Sequence, residues 1–176
     1  MLERFTAPSR ELAQRAVEIA AETRATETRP EHLFAALVWD DGCLAMRVVA
    51  DLGATSERLH AELDPRRARY VDGLDDDDAR ALASIGIDLA EVVGRLDGDG
   101  ALRGRRRPRF ARASKKVLEL ALREAVAMHH TSIGTEHVLL GLVRQGDATV
   151  RDTLEACGVD AGELRSAIAG AVRRAS

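Results

Sequence analysis

Apolar residues recur along this chain at helical spacing. Leu12, Ala16 and Ala20 stand at i, i+4 and i+8, and Val117, Ala121 and Ala125 repeat the stripe. That predicts one buried face on a helix near 9–24 and another near 114–129. Alanines in both stripes permit a second helix to approach closely. The second helix is predicted from Pro30-Glu31, with Leu33, Phe34, Leu37 and Val38 on its apolar face, and after Gly134-Thr135, with Val138, Leu139, Leu142 and Val143. Pro in a first turn and Thr as an N-cap meet the same need, the unpaired N–H groups of a helix start. A third helix carries Leu44, Val48, Val49 and Leu52, or Val150, Thr153, Leu154 and Cys157. It ends at Gly53 or Gly158, where glycine adopts a left-handed C′ conformation at little cost. The fourth starts at Thr55 or Ser56 and buries Leu59 and Leu63. Its counterpart has Asp160 and Glu163 at capping-box spacing, then Leu164 and Ile168.

Every element thus occurs twice. Residues 5–63 overlie 110–168 without a gap, each number rising by 105, and Phe5/Phe110, Ser9/Ser114, Ala16/Ala121, Ala20/Ala125, Glu31/Glu136, His32/His137 and Gly53/Gly158 are identical pairs. A repeat of this kind is one structural unit used twice. The expected fold is all-α: two pseudo-symmetric four-helix repeats, over 1–64 and 110–176, joined by a partly helical linker over 65–109. The linker is too long for an ordinary helix connection. Ser84-Ile85-Gly86-Ile87-Asp88-Leu89 repeats the helix, glycine, cap, helix phrase, so two short helices are expected around 76–84 and 89–96. The run Asp75 to Asp78 lacks the glycine and final Glu of an EF-hand loop and reads as a solvated helix start.

Composition narrows the chemistry. The 176 residues are 45% hydrophobic but only 3% aromatic, so the core must be Leu, Val and Ala, a palette that favours helices. A net charge of −3 with 31% charged residues argues against a general polyanion-binding role. The basic run Arg103, Arg105, Arg106, Arg107 and Arg109 has no interleaved aromatic residue and reads as a solvated tether, so nucleic-acid binding is not expected. Cys43 and Cys157 fall at non-equivalent repeat positions among apolar neighbours and are expected as buried thiols. No stretch approaches the roughly 20 apolar residues of a membrane span, and the N-terminal residues do not lead into a signal-peptide core. The expectation is a cytoplasmic protein without membrane association.

Glu31-His32 and Glu136-His137 are the pairs to test for catalysis. His129, His130 and His137 do not have the i, i+4 spacing of a zinc-protease helix, and no nucleophile, base and orienting group assemble. No enzyme, cofactor or metal is expected. Each Glu suits the first turn of a helix, and each His suits a partly buried position holding a backbone group.

Three segments carry a family resemblance: Phe110-Ala111-Arg112-Ala113-Ser114-Lys115-Lys116-Val117-Leu118-Glu119-Leu120-Ala121, Ile133-Gly134-Thr135-Glu136-His137-Val138-Leu139-Leu140-Gly141-Leu142, and Leu154-Glu155-Ala156-Cys157-Gly158-Val159. Together they resemble the N-terminal repeat of the Clp unfoldases, especially the double-repeat domain of the ClpC branch. There is no phosphate loop of the form G-x-x-x-x-G-K-[ST], so an ATP-driven motor is not expected. The resemblance implies a non-catalytic module that binds proteins or peptides, here an adaptor or decoy for a Clp protease system. The partners it implies are Clp ATPase and protease components or their substrates, including arginine-phosphorylated proteins. The alternative is a sensor for phosphoarginine or a small Clp-directed toxin. By the same resemblance the ligand-binding residues are Thr6, Glu31, Thr135 and Glu136. A carboxylate there would hold a guanidinium, while N–H and hydroxyl groups at helix starts receive a phosphate. Ala111 replaces the threonine in repeat two, and Arg29-Pro30 replaces Gly-Thr in repeat one. Each repeat taken alone therefore lacks part of the pattern.

Overall fold

Phe5 and Phe110, 105 positions apart, each end a short extended segment that leads into a long helix. In the computed structural model, which describes residues 3–68, 84 and 107–175, α1 spans Ala7–Glu22, α2 Pro30–Val38, α3 Leu44–Asp51 and α4 Ser56–Ala68. The second set is α5 (Arg112–Ala127), α6 (Thr135–Gln145), α7 (Ala148–Ala156) and α8 (Ala161–Ala175). The fold is all-α in two pseudo-symmetric four-helix repeats. The expected linker helices around 76–84 and 89–96 lie outside the described residues except for Ser84, as do the acidic run and Arg103 to Arg106.

The symmetry extends to backbone that no periodicity encodes. Among the described residues, Arg24 and His129, equivalent positions, are the non-glycine residues with positive φ, at 58° and 59°. Gly53 and Gly158 turn their helix ends at φ 91° and 78°, left-handed conformations that glycine accepts readily. Thr55 accepts the Arg58 N–H, and Asp160 accepts the N–H groups of Gly162 and Glu163, so both fourth helices are capped as their sequences anticipate.

α2 is buried along its whole length, including Leu33, Phe34 and Leu37. With α6 it forms the centre of one continuous core, joined by residues of both repeats such as Leu12, Val49, Leu63, Val117, Leu154 and Ile168. The repeats interlock rather than stand side by side: α4 packs on α7, and α8 packs on α3. Gly141 of α6 lies against α5 so closely that a Cβ there would come 2.6 Å from the Val117 carbonyl oxygen. Glycine at this position is a packing requirement.

Two extended segments, absent from the sequence expectation, complete the interlock. β1 (Glu27–Thr28) runs parallel to β2 (Arg109–Phe110), pairing Thr28 with Phe110. Phe5 pairs in parallel with Ile133 at the symmetry-related place. The segment before the first helix of each repeat therefore bonds to the segment before the second helix of the other.

One slot shows the repeats diverging. Glu124 on α5 is completely buried and receives Arg144 Nη1 of α6 at 2.9 Å and Arg165 Nη2 of α8 at 2.6 Å. The equivalent residues of repeat one are Ile19, Trp39 and His60, and there the Trp39 and His60 rings meet edge to face at 5.7 Å. An ion triad in one half is thus an apolar and aromatic contact in the other. Cys43 and Cys157 are buried free thiols, and burial raises the pKa of both.

Candidate functional site

The starts of α2 and α6 are built alike. His32 Nδ1 accepts the Arg29 N–H at 2.9 Å, and His137 Nδ1 accepts the Gly134 N–H at 2.9 Å. Each histidine stands three residues into its helix and closes back on the N-cap backbone, the role that Glu or Gln takes in a capping box. The backbone-holding reading of both histidines is what the structure contains. His137 Nε2 lies 2.8 Å from His130 Nδ1, within hydrogen-bond distance.

Around these caps the two carboxylates differ. The Glu136 carboxylate folds back over Gly134, where a Cβ would stand only 2.6 Å from its Cδ. Its Oε1 also lies 3.1 Å from His137 Nδ1. Burial pushes this carboxyl's pKa up, but contact with His137, its own backbone N–H and the positive potential of His137 and His130 outweigh burial and hold it below the usual value. Glu31 has no such glycine. Residue 29 is an arginine, and its Nε lies 3.4 Å from Glu31 Oε1, with both side chains largely buried. Burial raises the Glu31 pKa, as does the nearby negative charge of Asp147, while Arg29 and Arg67 act in the opposite direction.

Thr135 corrects the sequence reading. It is not the N-cap of its own helix; Gly134 takes that position and Thr135 is the first helical residue. Its hydroxyl is buried and accepts the Ala45 N–H of α3 at 3.5 Å, so it serves the start of a helix in the other repeat. The reciprocal contact is ruled out chemically because Thr135's counterpart is Pro30, which has no hydroxyl. α7 is capped instead by Asp147, which accepts the Val150 N–H at 3.1 Å.

The placement of Thr6 also departs from a repeat-by-repeat reading. It caps α1, accepting the Ser9 N–H and sharing a hydrogen bond with the Ser9 hydroxyl. Its own N–H donates to Ile133 O at 3.0 Å, immediately before Gly134. The symmetry-related Ala111 N–H donates to Thr28 O, immediately before Arg29. The crossing of the extended segments therefore groups Thr6 with Gly134, Thr135 and Glu136, and Ala111 with Arg29, Pro30 and Glu31. Ala111 and Arg29-Pro30, the departures from the family pattern that lie in different repeats in sequence, are thereby brought to one place.

Residues 4–83 and 109–176 match the Clp repeat (R) N-terminal domain. This chain belongs to that family. The Clp N-terminal domain is a non-catalytic module through which Clp chaperones engage other proteins. Similar proteins include the ATP-dependent Clp protease ATP-binding subunit ClpA homolog of Cyanidium caldarium, 40% identical over 97 residues. The chloroplastic chaperone protein ClpC2 of Oryza sativa subsp. japonica is 37% identical over 97 residues. Each match covers 51% of this chain, and it spans 11% and 10% of those relatives' lengths. The fold is shared with the N-terminal domain of ClpD from Arabidopsis thaliana, with a TM-score of 0.65, 18% identity and 99% and 96% of the two chains covered. It is shared with the Hsp104 N-terminal domain of Candida albicans at a TM-score of 0.66, 13% identity, and 94% and 89% coverage. A ClpV N-domain solved in complex with a VipB peptide matches at 0.54, with 12% identity and 97% and 89% coverage. Among the described residues of this Clp N-domain, no helix is long and apolar enough to cross a membrane.

The family's conserved architecture leaves some local chemistry to this chain. His130, Glu136 and His137 bring ligand atoms within 4.8 Å of one another, a cluster the histidine spacing did not reveal. His137 Nδ1 faces Gly134 and Glu136 while its Nε2 faces His130. A cation would have to break one of those contacts to use the ring, so the cluster reads as a cap with a proton-sharing partner. A groove of about 460 Å³ lined by Ala13, Val17, Pro108 and Phe110, with Arg107, Arg109 and Lys115 among its other lining residues, includes neither carboxylate.

Proposed function

We propose that this Clp N-domain binds protein segments bearing modified arginine through Glu136, and acts as an adaptor or decoy for a Clp protease system. The observation that carries the reading is the parallel pairing of Phe5 with Ile133, which sets Thr6 and the start of α1 beside the start of α6. Two helix N-termini supply N–H groups for an anion, and Glu136 supplies a carboxylate for a guanidinium. Phosphoarginine has both charges on one side chain. No Lys or Arg of the described residues forms an ion pair with Glu136, and its pKa is held low, so it is an ionised acceptor at neutral pH.

The test is direct. The purified chain is presented with one protein in arginine-phosphorylated and unmodified forms, and with a Clp ATPase and protease degrading the phosphorylated form. Selective capture of the phosphorylated form, with a change in degradation rate abolished by Glu136→Gln, is the expected result. Acceleration identifies an adaptor and slowing a decoy. Equal affinity for both forms contradicts the arginine reading. Binding of neither Clp subunits nor their substrates contradicts the module's assignment to such a system.

A further inference from the structure

We infer that Arg29 permanently occupies the second ligand place of this chain, so that the duplicated domain carries one open guanidinium acceptor, Glu136, and one that is filled from within. This rests on the proposed reading of the two carboxylates as guanidinium acceptors and adds the number of sites and the residue that sets it.

The geometry comes from equivalent positions. Residue 134 is glycine, and the space above it is taken by the Glu136 carboxylate itself. Residue 29 is its counterpart, and there the chain places a guanidinium 3.4 Å from the equivalent carboxylate, Glu31. The Arg29 side chain is 13% exposed and that of Glu31 is 6% exposed, against 12% for Glu136, so the carboxylate beside the arginine is the less accessible of the two. A second carboxylate lies across the repeat boundary: Asp147, the cap of α7, feels the charge of Arg29 as Glu31 does. The features that would receive a phosphate are missing at the same place. Ala111 stands where Thr6 stands at the open site, and Pro30 offers neither N–H nor hydroxyl where Thr135 stands. An arginine lacking a phosphate needs no phosphate receptor, so the substitutions at 29, 30 and 111 form one consistent set. A buried ion pair that loses its cation leaves a strongly unfavourable carboxylate behind, which keeps the plug in place.

The experiment is calorimetric titration with free phosphoarginine, combined with thermal melting in methylguanidinium chloride. Wild type and Arg29→Gly are each expected to bind about one equivalent of phosphoarginine, because the vacated place lacks a phosphate receptor, and Glu136→Gln and Arg29→Gly/Glu136→Gln none. Methylguanidinium should raise the melting temperature of Arg29→Gly/Glu136→Gln and not that of Glu136→Gln, which has lost the open acceptor and still has the second place filled. If Arg29→Gly does not fold, Arg29→Gly/Asp147→Asn removes one of the two carboxylates left facing each other and takes the same measurements. Two equivalents in wild type would overturn the inference and leave the Glu136 reading standing. No phosphoarginine binding in wild type, with methylguanidinium still stabilising Arg29→Gly/Glu136→Gln, would support the plug and overturn the Glu136 reading. A folded Arg29→Gly/Glu136→Gln that methylguanidinium does not stabilise overturns the inference.

Discussion

Gly134 and Glu136 share one space: the carboxylate of the second lies where a side chain on the first would stand. The backbone at Gly134 is extended, with φ −88° and ψ 177°, so an alanine there meets no backbone strain. It meets only the end of a flexible side chain. Gly134→Ala should therefore cost little stability, about 1 kcal/mol or less, while pushing Glu136 away from His137. The expected outcome is a near-normal melting temperature with at least a tenfold loss of affinity for an arginine-phosphorylated peptide, read by calorimetry.

Gly141→Ala should behave in the opposite manner. Its Cβ would meet the Val117 carbonyl oxygen and the Ala121 backbone nitrogen, which cannot swing aside. Overpacking of this sort costs about 1–3 kcal/mol, more than the roughly 1 kcal/mol that alanine gains over glycine in a helix. Urea denaturation should show a net loss of stability, and unchanged stability would argue against the close approach of α5 and α6.

Glu124→Gln tests the ion triad. The amide keeps the shape but loses the charge that Arg144 and Arg165 share, at a cost of about 2 kcal/mol for charge-assisted hydrogen bonds. Both arginines are half exposed, so water can solvate them in the variant and a larger loss is not expected. Ile19→Gln, at the equivalent buried position, should destabilise by burying an unpaired amide.

The two candidate carboxylates should give opposite pH signatures. Burial raises the Glu31 pKa, so its contribution to stability is fully present below the unfolded carboxylate value, about 4.3, and is lost as pH rises through the raised value. The lowered Glu136 pKa contributes stability above about 4.3 that is lost as pH falls through the folded value. Melting temperatures from pH 3 to 8 should show Glu31→Gln gaining on wild type as pH rises and Glu136→Gln gaining on it as pH falls. The same slope for both variants would contradict the different settings of the two groups.

The helices were legible because burial is periodic and local: Leu12, Ala16 and Ala20 announce a face whatever lies opposite. Gly53 and Gly158 announce their helix ends for a similar reason. The pairing of Thr6 with Ile133 was not legible, since two residues of extended chain leave no period and their partner lies in the other repeat. For that reason Ala111 and Arg29-Pro30 looked like losses spread over two sites. The role of Thr135 was hidden likewise, because the N–H it receives belongs to Ala45, 90 positions away. Glu124 reads as a polar residue on a helix, and only the folded chain brings Arg144 and Arg165 onto it. What the sequence carried most plainly was repetition, and what it concealed was the exchange of segments between the copies.

The account's central claim is most directly tested by nitrogen-15 NMR titration of the full chain with an arginine-phosphorylated peptide. Amide shifts are predicted to concentrate at Thr6, Ile133, Gly134, Glu136 and His137, with the symmetry-related Thr28, Arg29, Glu31 and Ala111 left in place. Equal perturbation of both groups, or shifts confined to a surface such as that around the exposed Trp39, would contradict it.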